Sequence, residues 1–233
     1  MQLFINDYIQ QWPTITISNP ELLSQIRKVL RAKIGDIFYI QSPNTEEKKT
    51  RYQVRIEQWD NIHIRWIILS EQIHVCTSRT TKMIVAMPNT WNKAELIAQK
   101  LSEIGISEII FWPSERSIIK IWNHKKEARI QKIIKEATEQ SRWRNIPKII
   151  FTTTLDEHIQ NAEVIVFDKQ ETPFDTTKTK KNLVWIVWPE GGFTEKDYTT
   201  FDAYTPRLVD LGSTVLRMET AAIIWWRKIK NKL

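Results

Sequence analysis

In the first seventy residues apolar and polar positions alternate over short runs. Residues 2–6, 37–41, 52–59 and 61–70 are rich in Ile, Val, Phe and Tyr, the period-2 pattern of half-buried strands. Residues 21–31 break the alternation and read as a short helix carrying Arg27, Lys28 and Arg31. Residues 44–49 form a polar loop between two strands. Many short strands with one helix predict a small barrel-like unit. Residues 71–81, with the polar run Thr77-Ser78-Arg79-Thr80-Thr81, read as a linker.

From Lys82 onward the period changes. Strands are predicted at 82–87, 108–112, 148–152, 163–168, 183–187 and 207–211. Between them lie helices at 92–104, ended by Gly105, at 125–141, at 194–204, and from Met218 to the C-terminus. Ile130, Ile133, Ile134 and Ala137 share one face of the second helix. Alternating strand and helix predicts an α/β fold, a mostly parallel sheet covered on both faces. The expected division is one domain over 1–72 and another over 78–233.

Charge narrows the partner. Thirty-four Lys and Arg against 27 Asp and Glu leave a net charge of +7, which suits a phosphate-bearing ligand. A chain 42% hydrophobic and 26% charged is not a disordered one. The apolar runs fall short of the roughly 18–20 residues that span a bilayer, and no signal peptide is expected, so a cytoplasmic protein without a membrane span is predicted. Cys76 is the single cysteine, which excludes a disulfide framework and a cysteine zinc cluster. His63, His74, His124 and His158 lie without metal-ligand spacing, so no metal is expected. Neither a G-x-G-x-x-G fingerprint nor a P-loop occurs.

Two late segments carry candidate chemistry. Trp188-Pro189-Glu190-Gly191-Gly192-Phe193 follows the apolar strand 183–187. Adjacent glycines there permit positive φ and close approach of a ligand to bare backbone N–H groups. Taken alone, the segment is equally a tight turn. The second, Leu211-Gly212-Ser213-Thr214-Val215-Leu216-Arg217-Met218-Glu219-Thr220-Ala221, also follows a strand. It puts Arg217 and Glu219 where a helix begins, at the strand end where α/β folds bind ligands. A helix start with a favourable acidic residue is the plainer alternative.

The order P-E-G-G-F then L-G-x-x-x-L-R-x-E-T-A resembles the RsmE family, bacterial methyltransferases of uracil N3 at position 1498 of 16S ribosomal RNA. The likeness continues upstream, in Glu136-Ala137-Thr138-Glu139-Gln140-Ser141 with Arg144 and Pro147, and in Gln99-Lys100-Leu101-Ser102-Glu103-Ile104-Gly105. Val29-Leu30-Arg31 and Gly35-Asp36 extend it into the first domain. The resemblance implies a PUA-like RNA-binding β-barrel joined to a SPOUT methyltransferase domain whose C-terminal chain forms a trefoil knot. It also implies a homodimer, S-adenosylmethionine (SAM) as cofactor, and 16S rRNA in the 30S subunit as substrate. By the same likeness Phe167, Trp188, Pro189, Gly191, Gly192, Leu211, Gly212 and Leu216 hold the cofactor. Arg217 stabilises negative charge on the uracil, and Glu219 and Glu190 handle a proton or position Arg217. RNA contacts fall to Arg27, Lys28, Arg31, Arg116 and Lys120, with Gln140 and Arg144 lining the pocket. The rivals are another SPOUT enzyme acting on a different RNA position, and a non-catalytic RNA-binding protein of the same fold. Trp188 favours the second, because the family has glycine there.

Glycine is scarce, at five residues, where ordinary usage of about 7% gives roughly 16. Eleven tryptophans make up the difference. Trp91, Trp122, Trp143 and Trp188 stand where a turn, a helix end or the family would place glycine, and Trp225-Trp226 puts two indoles on the final helix. A gene in which UGA encodes glycine, read here as tryptophan, would account for all of them. A lineage rich in indoles that stack on RNA is the alternative.

Overall fold

The computed structural model describes residues 2–43, 48–75, 81–167, 182–209, 211 and 214–230, without the side chains of 48, 75 and 225–230. Contacts divide the chain into Met1–Cys76 and Thr77–Leu233.

The first unit contains β1 (Leu3–Ile5), β2 (Ile9–Gln11), β3 (Thr14–Ile17), α1 (Pro20–Ser24), β4 (Ile37–Gln41), β5 (Lys48–Trp59) and β6 (Ile64–Val75). They form a six-stranded sheet in the order β1-β4-β5-β6-β3-β2. Its pairings are antiparallel except the parallel β1–β4 pair. Period-2 alternation sends Phe4, Ile15, Ile17, Phe38, Ile40, Val54, Ile56, Ile64 and Trp66 to one buried cluster, closed by Leu22, Leu23 and Ile26. Phe38 lies between Phe4 and Trp66, with ring centroids at 5.5 and 5.6 Å. Asn19 starts α1, its side chain accepting from the Leu22 N–H at 3.1 Å, and Pro20 follows where its missing N–H costs nothing.

Three expectations for this unit need correction. The helix predicted to Arg31 is α1 followed by a π-helical turn over Gln25–Val29, and Arg31 lies beyond it at φ 50°. The linker expected from residue 71 does not begin there. Residues 71–75 continue β6, paired with Lys48–Tyr52 of β5, so the ladder outlasts the apolar pattern. Lys48 and Lys49, expected in a loop, are the first residues of that same β5. The alternating strand β3 and the fully exposed β2 were absent from the expected elements. Residues 44–47 and 76–80, including Cys76, lie outside the described residues.

The second unit runs β7 (Thr81–Ala86), α2 (Trp91–Ile104), β8 (Glu108–Trp112), α3 (His124–Ser141), β9 (Lys148–Phe151), α4 (Asp156–Ile159), β10 (Glu163–Phe167), β11 (Leu183–Val187), α5 (Glu195–Asp202), β12 (Arg207–Val209) and α6 (Met218–Lys230). The sheet order is β12-β10-β11-β7-β8-β9, and all five pairings are parallel. Alternate residues feed two cores. Met83, Val85, Phe111 and Trp185 face one, with Ala94, Ile97, Leu101, Ile130, Ile134, Ala221 and Ala222 from α2, α3 and α6. Ile84, Ile110, Val184 and Ile186 face the other, against Leu155, Ile159 and Phe201. A sheet buried on both faces explains why its strands read as unbroken apolar runs.

Helix ends follow local chemistry. Thr90 caps α2 through its side chain, and Gly105 ends it at φ 83°, its N–H bonded to the Leu101 and Ser102 carbonyls. A Cβ at Gly105 would collide with the Trp143 indole. At the end of α3 the left-handed position is Arg142, at φ 54°. The glycine-like position expected at Trp143 is therefore one residue earlier. Among the described residues no helix is long and apolar enough to cross a membrane, and no group of three or more His, Cys, Asp or Glu could hold a metal.

Candidate active site

β7 and β11 are adjacent parallel strands, in register from Leu183↔Thr81 to Val187↔Val85. The loops leaving their carboxyl ends therefore start side by side, although about a hundred residues separate them in the chain. β8 flanks β7 on its other side, so three loops meet at one edge of the sheet. This is the edge where open α/β folds place ligands.

The turn after β11 is held from both sides. Pro189 is buried, and the Gly192 N–H donates to the Pro189 carbonyl at 2.9 Å. Gly192 takes φ 72°, a conformation that an L side chain would strain. From the β7 side, the Lys93 ammonium donates to Glu190 Oε1 at 2.6 Å, and the Asn89 N–H lies 3.3 Å from both carboxylate oxygens. The Glu190 side chain is 21% exposed. Burial raises its pKa, but the hydrogen bonds from Lys93 and from the Glu190 and Asn89 backbones outweigh that, holding the carboxyl below its ordinary value.

The segment after β8 closes the other side. Arg116 Nη1 donates to the Gly191 carbonyl at 2.5 Å, and its Cδ lies 3.2 Å from where a Gly191 Cβ would stand. Next to it, the Glu115 N–H donates to Asp197 Oδ1 at 3.0 Å, and the Thr194 hydroxyl donates to the Glu115 carboxylate. Thr194 and Asp197 form a capping box that starts α5 directly after the turn. Lys120 turns back on its own segment, donating to the Ser114 and Glu115 carbonyls.

The second motif differs. Leu211 and Leu216 are half-buried, Val215 and Arg217 are exposed, and Met218 is buried where α6 begins. Gly212, expected to touch a cofactor, lies outside the described residues. Glu219 sits in the first turn of α6 with Oε2 buried and, among the described residues, without a hydrogen-bond partner. Among the described residues no ion pair joins it to Arg217. Phe167, at the end of β10, stacks on Trp185 at 5.6 Å and meets Trp188 edge-on at 6.2 Å. Phe167, Trp188, Leu211 and Leu216 belong to one apolar cluster with Met218 and Ala221.

The structure thus brings together Phe167, Trp188, Leu211 and Leu216, and separately Glu190, Gly191 and Arg116. Gln140 and Arg144 are exposed at the end of α3 and just after it. In the first unit, the Arg27 guanidinium lies 5.2 Å from the Trp59 ring and donates to the Asp60 carbonyl at 2.5 Å, whereas Lys28 and Arg31 are exposed. Asn89, Lys93 and Glu115 were not anticipated. Their contacts arise from strand adjacency, which sequence spacing does not reveal; the Thr194-x-x-Asp197 cap was the readable signal nearby. Chemically, the site offers a fixed glycine turn, an apolar wall, an exposed guanidinium and an orphaned carboxylate oxygen. That oxygen and the wall fit a ligand with an apolar ring and a hydrogen-bond donor.

Comparison with known proteins bears on this site. Residues 76–230 match a family model described as an RNA methyltransferase domain. The chain is 24% identical over 234 residues to the ribosomal RNA small subunit methyltransferase E of Rickettsia conorii, covering 95% of this chain and 91% of that protein. It is 26% identical over 237 residues to the Bacillus subtilis protein of the same name, covering 92% and 89%. The structure of the Neisseria gonorrhoeae ribosomal RNA small subunit methyltransferase E bound to SAM shares the fold. It has a TM-score of 0.83 at 21% identity, with 100% of this chain and 98% of that one covered. A Legionella pneumophila methyltransferase solved with bound SAM gives 0.79 at 22% identity, with 99% and 96% covered.

Proposed function

The chain belongs to the RNA methyltransferase domain family, and from that premise we propose that it uses SAM to methylate N3 of a uracil in 16S ribosomal RNA of the small subunit, at position 1498. The finer architecture belongs to the same proposal. Residues 1–72 are a PUA-like RNA-binding barrel, 78–233 a SPOUT domain with a C-terminal trefoil knot, and the working form is a cytoplasmic homodimer.

The reading rests chiefly on one observation: a pinned glycine turn and an unpaired carboxylate leave the same edge of a parallel sheet, beside one apolar cluster. When bound, SAM supplies an electrophilic methyl carbon. The chain's own groups do the rest. Pro189, Gly191 and Gly192 would present backbone to the cofactor, as would Leu211 and Gly212. Phe167, Trp188 and Leu216 wall its apolar side. Arg217 favours the negative charge that develops as uracil N3 loses its proton. Glu219 Oε2 accepts that proton or fixes the base through it, with Glu190 as the second candidate carboxylate. Phosphate contacts from Arg27, Lys28, Arg31, Arg116 and Lys120 carry a salt-dependent share of RNA affinity. Gln140 and Arg144 line the base pocket.

Trp188 supports a second reading, a non-catalytic RNA-binding protein, because its indole lies in the wall that would receive the cofactor. Calorimetry with SAM separates the two. Stoichiometric binding is expected, and no heat of binding favours the RNA-binding module. Light scattering should give twice 27.7 kDa at micromolar concentration, and a monomer contradicts the dimer.

A further inference from the structure

We infer that Lys93 is a positioning residue: with the Asn89 amide it clamps the Glu190 carboxylate and so fastens the 188–193 turn, which leaves Glu219 as the carboxylate available to a substrate proton. The inference rests on the proposed methyl transfer and divides the two carboxylates that this mechanism leaves open.

The groups around Glu190 are all spent on holding. Oε1 takes the Lys93 ammonium at 2.6 Å, and both oxygens face the Asn89 N–H at 3.3 Å. The carboxylate lies against the N-terminal turn of α2, where Lys93 is the third helical residue after the Thr90 cap. Free N–H groups and the helix dipole favour an anion there. A proton acceptor needs an open lone pair and a pKa near the working pH. Glu190 has its pKa pressed the other way, whereas Glu219 Oε2 is buried and has no hydrogen-bond partner among the described residues.

Fastening is needed because two adjacent glycines lose more backbone freedom on ordering than any other pair. Lys93 restrains them through Glu190, and Arg116 restrains them through the Gly191 carbonyl. Removing one support leaves the other, so the expected loss is moderate.

The test compares Lys93→Ala, Lys93→Arg and the exchanged pair Lys93→Glu/Glu190→Lys in the full chain. Hydrogen exchange of the 188–193 segment, measured without cofactor, should quicken about tenfold in Lys93→Ala, with the first unit unchanged. The Kd for SAM should rise by a similar factor of about ten, while kcat at saturating SAM falls less than about threefold. Lys93→Arg should recover most of both losses, whereas the exchanged pair, which turns an ammonium toward the Asn89 N–H and the start of α2, should not. Unchanged exchange in Lys93→Ala, or equal losses in Lys93→Arg and Lys93→Ala, overturns the inference. Failure of the unmodified protein to take up SAM would count against the methyltransferase reading, and the exchange measurement would still decide the clamp.

Discussion

The 188–193 turn and the 214–219 segment leave the same edge of the same parallel sheet, yet their polar groups are in opposite states. In the first, Glu190, the Gly191 carbonyl and the Gly192 N–H all have partners within 2.5–3.3 Å. In the second, Arg217 is exposed and Glu219 keeps a buried oxygen without a hydrogen bond among the described residues. A group already bonded in the ground state gives a fixed surface against which a ligand can lie. A group left unpaired can respond to charge that appears only during reaction. On the proposed mechanism, the turn supplies shape and the segment supplies chemistry.

The largest expected effect breaks that assignment if it is wrong. Arg217→Ala should lower kcat by roughly 10²–10³ while SAM affinity stays within a few-fold. Because the side chain is exposed, thermal stability should move by less than about 0.5 kcal/mol. If SAM binding falls as much as turnover, Arg217 belongs with the holding groups. Glu219→Gln keeps the size and removes the acceptor charge, and kcat should fall by about 10² if that oxygen handles the proton.

Smaller effects sharpen the other half of the comparison. Gly192→Ala meets no collision but forces a Cβ onto φ 72°, so unfolding should become easier by about 1–2 kcal/mol. SAM affinity should fall with it, as calorimetry and thermal melts can show together. A gain in stability would mean that the turn is not held in this form. The mildest test lies in the first unit, where Arg31 is exposed at φ 50°. Arg31→Gly removes the strain and the proposed phosphate contact at once. Melting temperature should hold or rise, while RNA affinity weakens and its salt slope drops by about 0.7–0.9.

What the sequence revealed follows the range of the forces involved. β8 and β11 match their predicted bounds, since an apolar run between turn residues is a local signal. Gly105 and Thr194 end or begin helices as local chemistry requires. The four-residue α4 has too short a period to read. The Lys93–Glu190 pair depends on β7 lying beside β11, a fact of strand order that no local pattern carries. The tryptophans teach the same lesson. Trp91 begins α2 and, like Trp122, packs on Phe151, at 6.1 and 5.4 Å. Neither they nor Trp143 and Trp188 take a left-handed conformation, which among the described non-glycine residues belongs to Arg31, Arg142, Asn161 and Thr205. Backbone geometry therefore does not call for glycine at these four positions. The coding DNA decides the matter: UGG codons close the idea of a reassigned UGA, and UGA codons make Trp188→Gly the native residue and predict tighter SAM binding by that variant.

Methyl transfer to a uracil of small-subunit RNA can be measured directly. The protein is incubated with SAM and 30S subunits lacking the modification, and the RNA is digested and mapped by mass spectrometry. One added methyl on N3 of a single uracil, lost in Arg217→Ala, is the expected result. RNA that binds the protein but gains no methyl, or a methyl on another base or a ribose, would contradict it.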